Sequence, residues 1–218
     1  MEMIVGPRLY STWSLRPWLV LKRTGAAFET REVFYRTEEE KAELRRLSPS
    51  GFAPLLKVDG ETIWDTLAIC EWAAERYPEA RLWPVDVVAR ALARSATAEM
   101  HSGFQVLRTL CGAGPDHPMV GETRSPTPSD PALDRDLARL VGLWRQMRGR
   151  FGENGPWLFG DWSIADAFFT PVAARVRHFQ IDLSRHGDDG VAAAYMALLL
   201  DQPHFREWEA AALPPNAV

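Results

Sequence analysis

Three short segments carry residue types that could do chemistry. The first is Tyr10-Ser11-Thr12-Trp13-Ser14-Leu15-Arg16-Pro17-Trp18. A short apolar run ends just before it and a helical pattern begins inside it. A side chain at such a turn sits near helix N–H groups, whose partial positive charge favours an anion. Ser11 and Ser14 have the i, i+3 spacing of a C-x-x-C redox motif, with hydroxyls in place of both sulfurs. A hydroxyl forms no disulfide, so the segment cannot itself exchange thiols. It can donate a hydrogen bond to a ligand's thiolate. With the helix field, that bond lowers a thiol's pKa from ~8.5 towards neutrality. Taken alone, either serine could do no more than cap the helix, and Ser14 is expected to be a cap in any case.

The second segment is Ser48-Pro49-Ser50-Gly51-Phe52-Ala53-Pro54-Leu55, where Pro54 precedes a strand-like run. A cis bond there would turn the Ala53 N–H and C=O outward, able to pair with an extended peptide. A trans proline opening a strand is the commoner arrangement. The third is Trp64-Asp65-Thr66-Leu67. A carboxylate, a hydroxyl and helix N–H groups at one corner could hold an amino acid's ammonium and carboxylate, or Asp65 or Thr66 could simply cap the following helix.

The elements around these segments divide the chain. Met3 to Val5 is a short apolar run, and Phe28 to Phe34 alternates with the period of a half-buried strand. Leu55 to Trp64 reads LLKVDGETIW, where Asp59-Gly60 marks a tight hairpin turn. Helices are expected from near Leu15 to Gly25, over Glu38 to Leu47 and over Thr66 to Arg76. After Leu82 to Val85 the pattern becomes helical: Val87 to Leu110, Pro131 to Phe151 capped by Ser129 or Asp130, a helix to His178, then Val191 to Leu200 and Pro203 to Ala212. Ser163-Ile164-Ala165-Asp166 opens the His178 helix as a capping box with Asp in the Glu position. The change of class predicts two domains, residues 1–82 mixed α and β and residues 88–218 all-helical. Cys111 to Pro131 is the one long irregular segment, a functional lid or a surface insertion.

The 218 residues are 46% hydrophobic and 25% charged with a net charge of −4. These values exclude a disordered or collagen-like chain and give no reason to expect nucleic acid or an anionic membrane as partner. No apolar run has the length of a membrane span, and MEMIVGPRLY does not read as a signal peptide. Cys70 and Cys111 lie far apart and are expected as free thiols in a reducing cytoplasm. The five histidines form no metal-ligand spacing, so no metal is expected.

The chain resembles the cytosolic glutathione transferases over essentially its whole length, nearest to bacterial serine-type members and the zeta class. The likeness rests on YSTWSLRPW, LSPSGFAPLLKVDG, WDTLAICEWAAERYP and GPWLFGDWSIADAFFTPV, in this order and spacing. The resemblance implies a thioredoxin-like N-terminal domain, an all-α C-terminal domain and a homodimer. It implies that Ser11 activates the glutathione thiol, with Thr12 beside it. It makes Pro54 a cis-proline, has the Ala53 backbone grip the cysteinyl part, and gives the γ-glutamyl end to Asp65 and Thr66. Ser163 and Asp166 match the family's capping box, a folding feature. The second-substrate pocket is expected above Ser11, walled by Trp13 and by His101, Phe104, Gln105 and Arg108, with His101, Gln105 and Arg108 sharing one helix face at i, i+4 and i+7.

Two departures qualify the likeness. Relatives often carry Lys or Gln where Gly51 and Phe52 stand, to meet the glycyl carboxylate; Phe52 could instead pack on a partner subunit. Zeta members that isomerise maleylacetoacetate carry S-S-C at the helix entrance, here Ser11-Thr12-Trp13, and an Arg at the position of His178, with Arg175 and Arg177 out of register. The implied activity is glutathione transfer to a small electrophile. The alternatives are glutathione-dependent cis–trans isomerisation of a dicarboxylate, and glutathione or small-ligand binding without turnover.

Overall fold

β1 (Glu2–Val5) is four residues long, and its side chains serve two cores. Met3 and Val5 point into the main core, and Ile4 into a smaller one with Val33, Leu44 and Leu55. That split is the period of two of a strand buried on both faces. The computed structural model describes residues 1–121 and 123–212. β1 pairs in parallel with β2 (Glu29–Glu32) and antiparallel with β3 (Leu55–Val58), which forms the expected hairpin with β4 (Glu61–Ile63). The sheet order is β2-β1-β3-β4. β2 is shorter than the alternation over 28–34 predicts, an edge strand of alternately exposed residues.

α1 (Thr12–Thr24) and α3 (Thr66–Arg76) cover the main-core face, and α2 (Glu38–Leu47) covers the other. α1 ends at Gly25, left-handed at φ 72° as a glycine C-cap is. α2 starts at a capping box between Thr37 and Glu40. α1 contains Pro17, which has no N–H for the carbonyl of Trp13 four residues back. The Thr66 hydroxyl donates to that carbonyl at 3.0 Å and joins α3 to α1 there.

The helical part is α4 (Val87–Ser102), α5 (Gln105–Leu110), α6 (Pro131–Phe151), α7 (Ile164–His178), α8 (Val191–Asp201) and α9 (Pro203–Ala210). The single helix expected over Val87–Leu110 is two. Gly103 is extended at φ −98°, ψ −161°, Phe104 is left-handed at φ 52°, and a Cβ on Gly103 would stand 2.7 Å from the Glu99 carbonyl. α6 is capped by Asp130, whose carboxylate accepts from the N–H groups of Ala132 and Leu133. The main core runs without a break from the sheet side into α7, so the two parts share one interior. Both cysteines are buried free thiols. No helix among the described residues is long and apolar enough to cross a membrane.

α7 is buried along nearly its whole length, and its start is fixed by Asp166. This fully buried carboxylate accepts from Ser163 N (2.7 Å), Ser163 Oγ (3.1 Å), Leu158 N (3.0 Å) and Tyr195 Oη (2.8 Å). Asp166→Ala leaves these donors unpaired in the interior. The expected loss is about 3 kcal/mol or more of unfolding free energy in urea denaturation.

Candidate functional site

Ser11 stands at the N-cap position of α1, yet its side chain makes no capping bond. Its hydroxyl instead donates to Ser14 Oγ at 2.8 Å, and Ser14 Oγ also accepts from the Gly6 N–H at 3.0 Å. Ser14 is therefore not a cap but a buried bracket between the end of β1 and the first turn of α1. The first turn of α1 holds no acidic residue. At that turn stands a hydroxyl that can re-aim, by rotating one bond, into the space it borders. Gly6 permits this approach: a Cβ there would be 2.9 Å from Ser11 Oγ and 3.2 Å from the Tyr35 ring.

That space is a cleft of about 1340 Å³ between the sheet side and the helical part. Ser11, Thr12, Trp13, Ala53, Gln105 and Arg108 of the expected site residues line it, together with Arg16 and Arg175. No carboxylate among the described residues lines it, although the chain as a whole is acidic. Arg16 and Arg175 are 1% and 4% exposed. Their guanidinium partners are neutral carbonyls. Arg16 donates to the carbonyls of Thr12 and Phe168, Arg108 to that of His101, and Arg175 to that of Cys111. Nε of Arg108 and an Nη of Arg175 are buried without a partner. Burial holds the Arg16 guanidinium well below its ordinary pKa, with Arg175 and Arg108 adding repulsion. Arg175 is lowered to about 10, chiefly by burial, and stays charged at neutral pH. The result is a positive floor in the cleft that Ser11 lines, and it favours an anion.

Tyr35, which lines the cleft, is a poor nucleophile, because burial raises it to about 12. The second rim is basic too: Arg36, Lys41 and Arg45 line the cleft next to Gly51 and Phe52, and the Arg45 stem lies over Gly51. The Ala53–Pro54 peptide is cis.

The structure does not bring every expected residue to this cleft. Pro54, Asp65, Thr66, His101 and Phe104 lie outside its lining. Asp65 caps α3 by accepting from the N–H groups of Leu67 and Ala68, and its other oxygen is 3.4 Å from His101 Nε2. The Thr66 hydroxyl is taken by the Trp13 carbonyl. Phe104 is 6% exposed and sits in the core at the α4–α5 break, so His101, Gln105 and Arg108 share no single helix face. Arg16 and Arg175 were not expected here. Each is an arginine inside an apolar stretch, Leu15-Arg16-Pro17-Trp18 and Val172-Ala173-Ala174-Arg175-Val176, and that is the signal that marks them.

The 111–131 segment is tied down on two sides. Gly112 to Pro115 form one wall of the cleft. Met119 N–H donates to the Leu9 carbonyl, and Thr127 Oγ1 to that of Phe179. Ser125 Oγ lies 3.2 Å from His117 Nδ1 and 3.1 Å from His178 Nε2. His178 thus faces this segment, and Arg175 is the α7 residue that reaches the cleft, so the register mismatch seen in the sequence does not empty the pocket of an arginine.

Residues 10–76 match the family model of the glutathione S-transferase N-terminal domain. A probable maleylacetoacetate isomerase of Caenorhabditis elegans is 35% identical over 192 residues, covering 82% of each chain. The chain belongs to the glutathione transferase family. A zeta-class glutathione S-transferase of Euphorbia esula is 28% identical over 181 residues, 80% of this chain and 76% of that one. The same transferase fold is found in a Burkholderia glutathione transferase homolog solved with bound glutathione, at TM-score 0.70 and 24% identity over 95% of both chains. It is found again in maleyl pyruvate isomerase, a bacterial zeta-class structure, at TM-score 0.70 and 22% identity over 98% of this chain and 99% of that one.

Two outcomes follow for this transferase. Gly6→Ala must displace the Ser11 hydroxyl or the Tyr35 ring, so glutathione-dependent turnover is expected to fall several-fold more than thermal stability accounts for. His178 is held below its ordinary pKa, first by burial, with His117, Arg124 and Arg177 adding repulsion against the Thr123 backbone. The unfolded chain takes up this proton near pH ~6.5 and the folded one only lower. The His178 contribution is present above pH ~6.5 and lost as pH falls through the lowered value. Denaturation midpoints across that window are expected to flatten in His178→Gln.

Proposed function

We propose that the protein binds glutathione, stabilises its thiolate with the Ser11 hydroxyl and the first turn of α1, and presents it to a small electrophile that carries a carboxylate. The observation that carries this reading is the cluster of Arg16, Arg108 and Arg175, two of them buried and all without a carboxylate partner in the cleft, on the floor of the cleft that Ser11 lines. In this reading the Ser11 proton leaves Ser14 Oγ and turns to the sulfur, while Ser14 keeps its bond from Gly6. The hydrogen bond and the helix field favour the thiolate over the thiol. The Ala53 backbone, beside Pro54, pairs with the cysteinyl part. The γ-glutamyl end falls to the Thr66 N–H, the first of α3, with Thr12 and Asp65 nearby; the Thr66 hydroxyl is already spent on Trp13. Arg36, Lys41 and Arg45 supply the cationic anchor that Gly51 and Phe52 cannot, which weakens the case for a binder without turnover. Phe52, 74% exposed, is the side chain proposed to be covered by a second copy of the chain.

The chemistry has two ways to end. Sulfur forms a bond to the electrophilic carbon, and the electron pair of the broken π-bond takes a proton from water. If the adduct is released, glutathione is consumed. If the adduct rotates about the new single bond, gives that proton back to water and expels the thiolate, the double bond returns with changed geometry and glutathione is regenerated. The arginine floor favours this second ending as an alternative, because it suits a dicarboxylate, and the names of the Caenorhabditis elegans relative and of maleyl pyruvate isomerase fit it.

Ser11→Ala removes the hydroxyl donor proposed for the sulfur. The expected loss in kcat/KM is on the order of 10²-fold with an unchanged denaturation curve. An unaltered rate would sink the role given to Ser11. Counting free thiol during turnover of a maleyl substrate separates the two endings: stoichiometric loss means transfer, and no loss means isomerisation.

A further inference from the structure

Trp13 is expected from the sequence as an apolar wall and does line the cleft, but two cations stand over its ring. The Arg16 guanidinium carbon stands 4.2 Å from the centre of the indole, and that of Arg108 stands 5.7 Å from it. Both distances are within cation–π range, and tryptophan has the strongest such face. The indole itself is held from behind. The His101 ring lies 5.4 Å away and is steadied by Asp65 at 3.4 Å, while the Trp13 carbonyl accepts the Thr66 hydroxyl. Arg16 and Arg108 come from different helices, repel each other, and have no acidic partner among the described residues that line the cleft. Carbonyls fix one edge of each guanidinium but do not offset the repulsion between them. An aromatic face attracts both cations and leaves their charge available to a ligand, which a carboxylate in the same place would cancel.

We infer that Trp13 is a positioning residue whose indole gathers the Arg16 and Arg108 guanidiniums into one binding site, and so sets the cleft's preference for a carboxylate-bearing acceptor. The inference rests on the anionic acceptor proposed above. It assigns Trp13 no contact with the reacting atoms.

The test is calorimetric titration with maleate, a plain dicarboxylate, and separately with glutathione. The proteins are the full-length chain, Trp13→Phe and Trp13→Leu, each also in an Arg108→Met background. Trp13→Leu is expected to weaken maleate binding about tenfold or more, and Trp13→Phe, which keeps a weaker aromatic face, only about two- to threefold. Glutathione affinity is expected to hold within about twofold, because its proposed contacts lie on other groups. In the Arg108→Met background the cost of Trp13→Leu should shrink, as coupled residues require. Equal maleate affinity in the full-length chain and Trp13→Leu overturns the inference. So does a parallel loss of maleate and glutathione in both variants, which is what a purely structural tryptophan predicts. Absence of maleate binding to the unaltered chain overturns the anionic-acceptor reading first, and this inference with it.

Discussion

Positive charge without a carboxylate to offset it is the constraint on which this structure turns. Arg16, Arg108 and Arg175 meet at the floor of one cleft, where their hydrogen bonds go to neutral carbonyls and where Arg16 and Arg108 also stand over aromatic rings. Such an arrangement costs folding free energy, since desolvated like charges repel. It gives the cleft a standing positive potential. The first turn of α1, left uncapped by Ser11 and free of acidic residues, adds its partial charge to the same space. In the function proposed above, one field acts on two anions: it favours the thiolate over the thiol at Ser11, and it draws in an acceptor that carries a carboxylate.

The remainder of the fold holds these charges in place against their repulsion. Pro17 frees the Trp13 carbonyl, and Thr66 takes it, so α3 fixes the start of α1 beside the cleft. The Asp166 hub fixes the start of α7, and α7 then delivers both the Phe168 carbonyl to Arg16 and Arg175 to the cleft. Because the main core runs from the sheet side into α7, the residues that line the cleft from the two parts rest on one packed interior. The Gly103–Phe104 break has a place in this too. It ends α4 at a carbonyl, that of His101, which Arg108 of the following helix then caps.

Much of the fold is legible in the sequence because local chemistry decides it. Asp59-Gly60 gives the hairpin, Gly25 stops α1, Asp130-Pro131 starts α6, and Ser163 to Asp166 starts α7. What the sequence hides is decided by distant contacts. Helical periodicity runs through Gly103, since one glycine is tolerated in a helix, so the break is invisible until Glu99 is seen to crowd it. Ser14 looks like a cap because the amide it serves, that of Gly6, lies at the end of another element. Thr66 looks like a ligand hydroxyl because the orphan carbonyl that takes it is created 49 residues earlier in the chain, by Pro17. Ser11, Ala53 and Arg108 do reach the cleft, whereas His101 and Phe104 are drawn off by the Asp65 contact and by core packing. Arg16 and Arg175 escape notice because Arg16 is overshadowed by the hydroxyls of its segment and Arg175 lies beyond the capping-box motif. Only their meeting across 159 residues of chain makes them a site.

The most direct measurement of this account is the ultraviolet absorbance of the thiolate in protein-bound glutathione, followed as a function of pH. The field described here predicts that the bound thiol titrates near neutrality, well below the ~8.5 of an unperturbed thiol, and that Ser11→Ala moves it back towards that value. A bound thiol that titrates like free glutathione, in the unaltered chain as in the variant, would contradict the claim that the cleft is built to hold a thiolate.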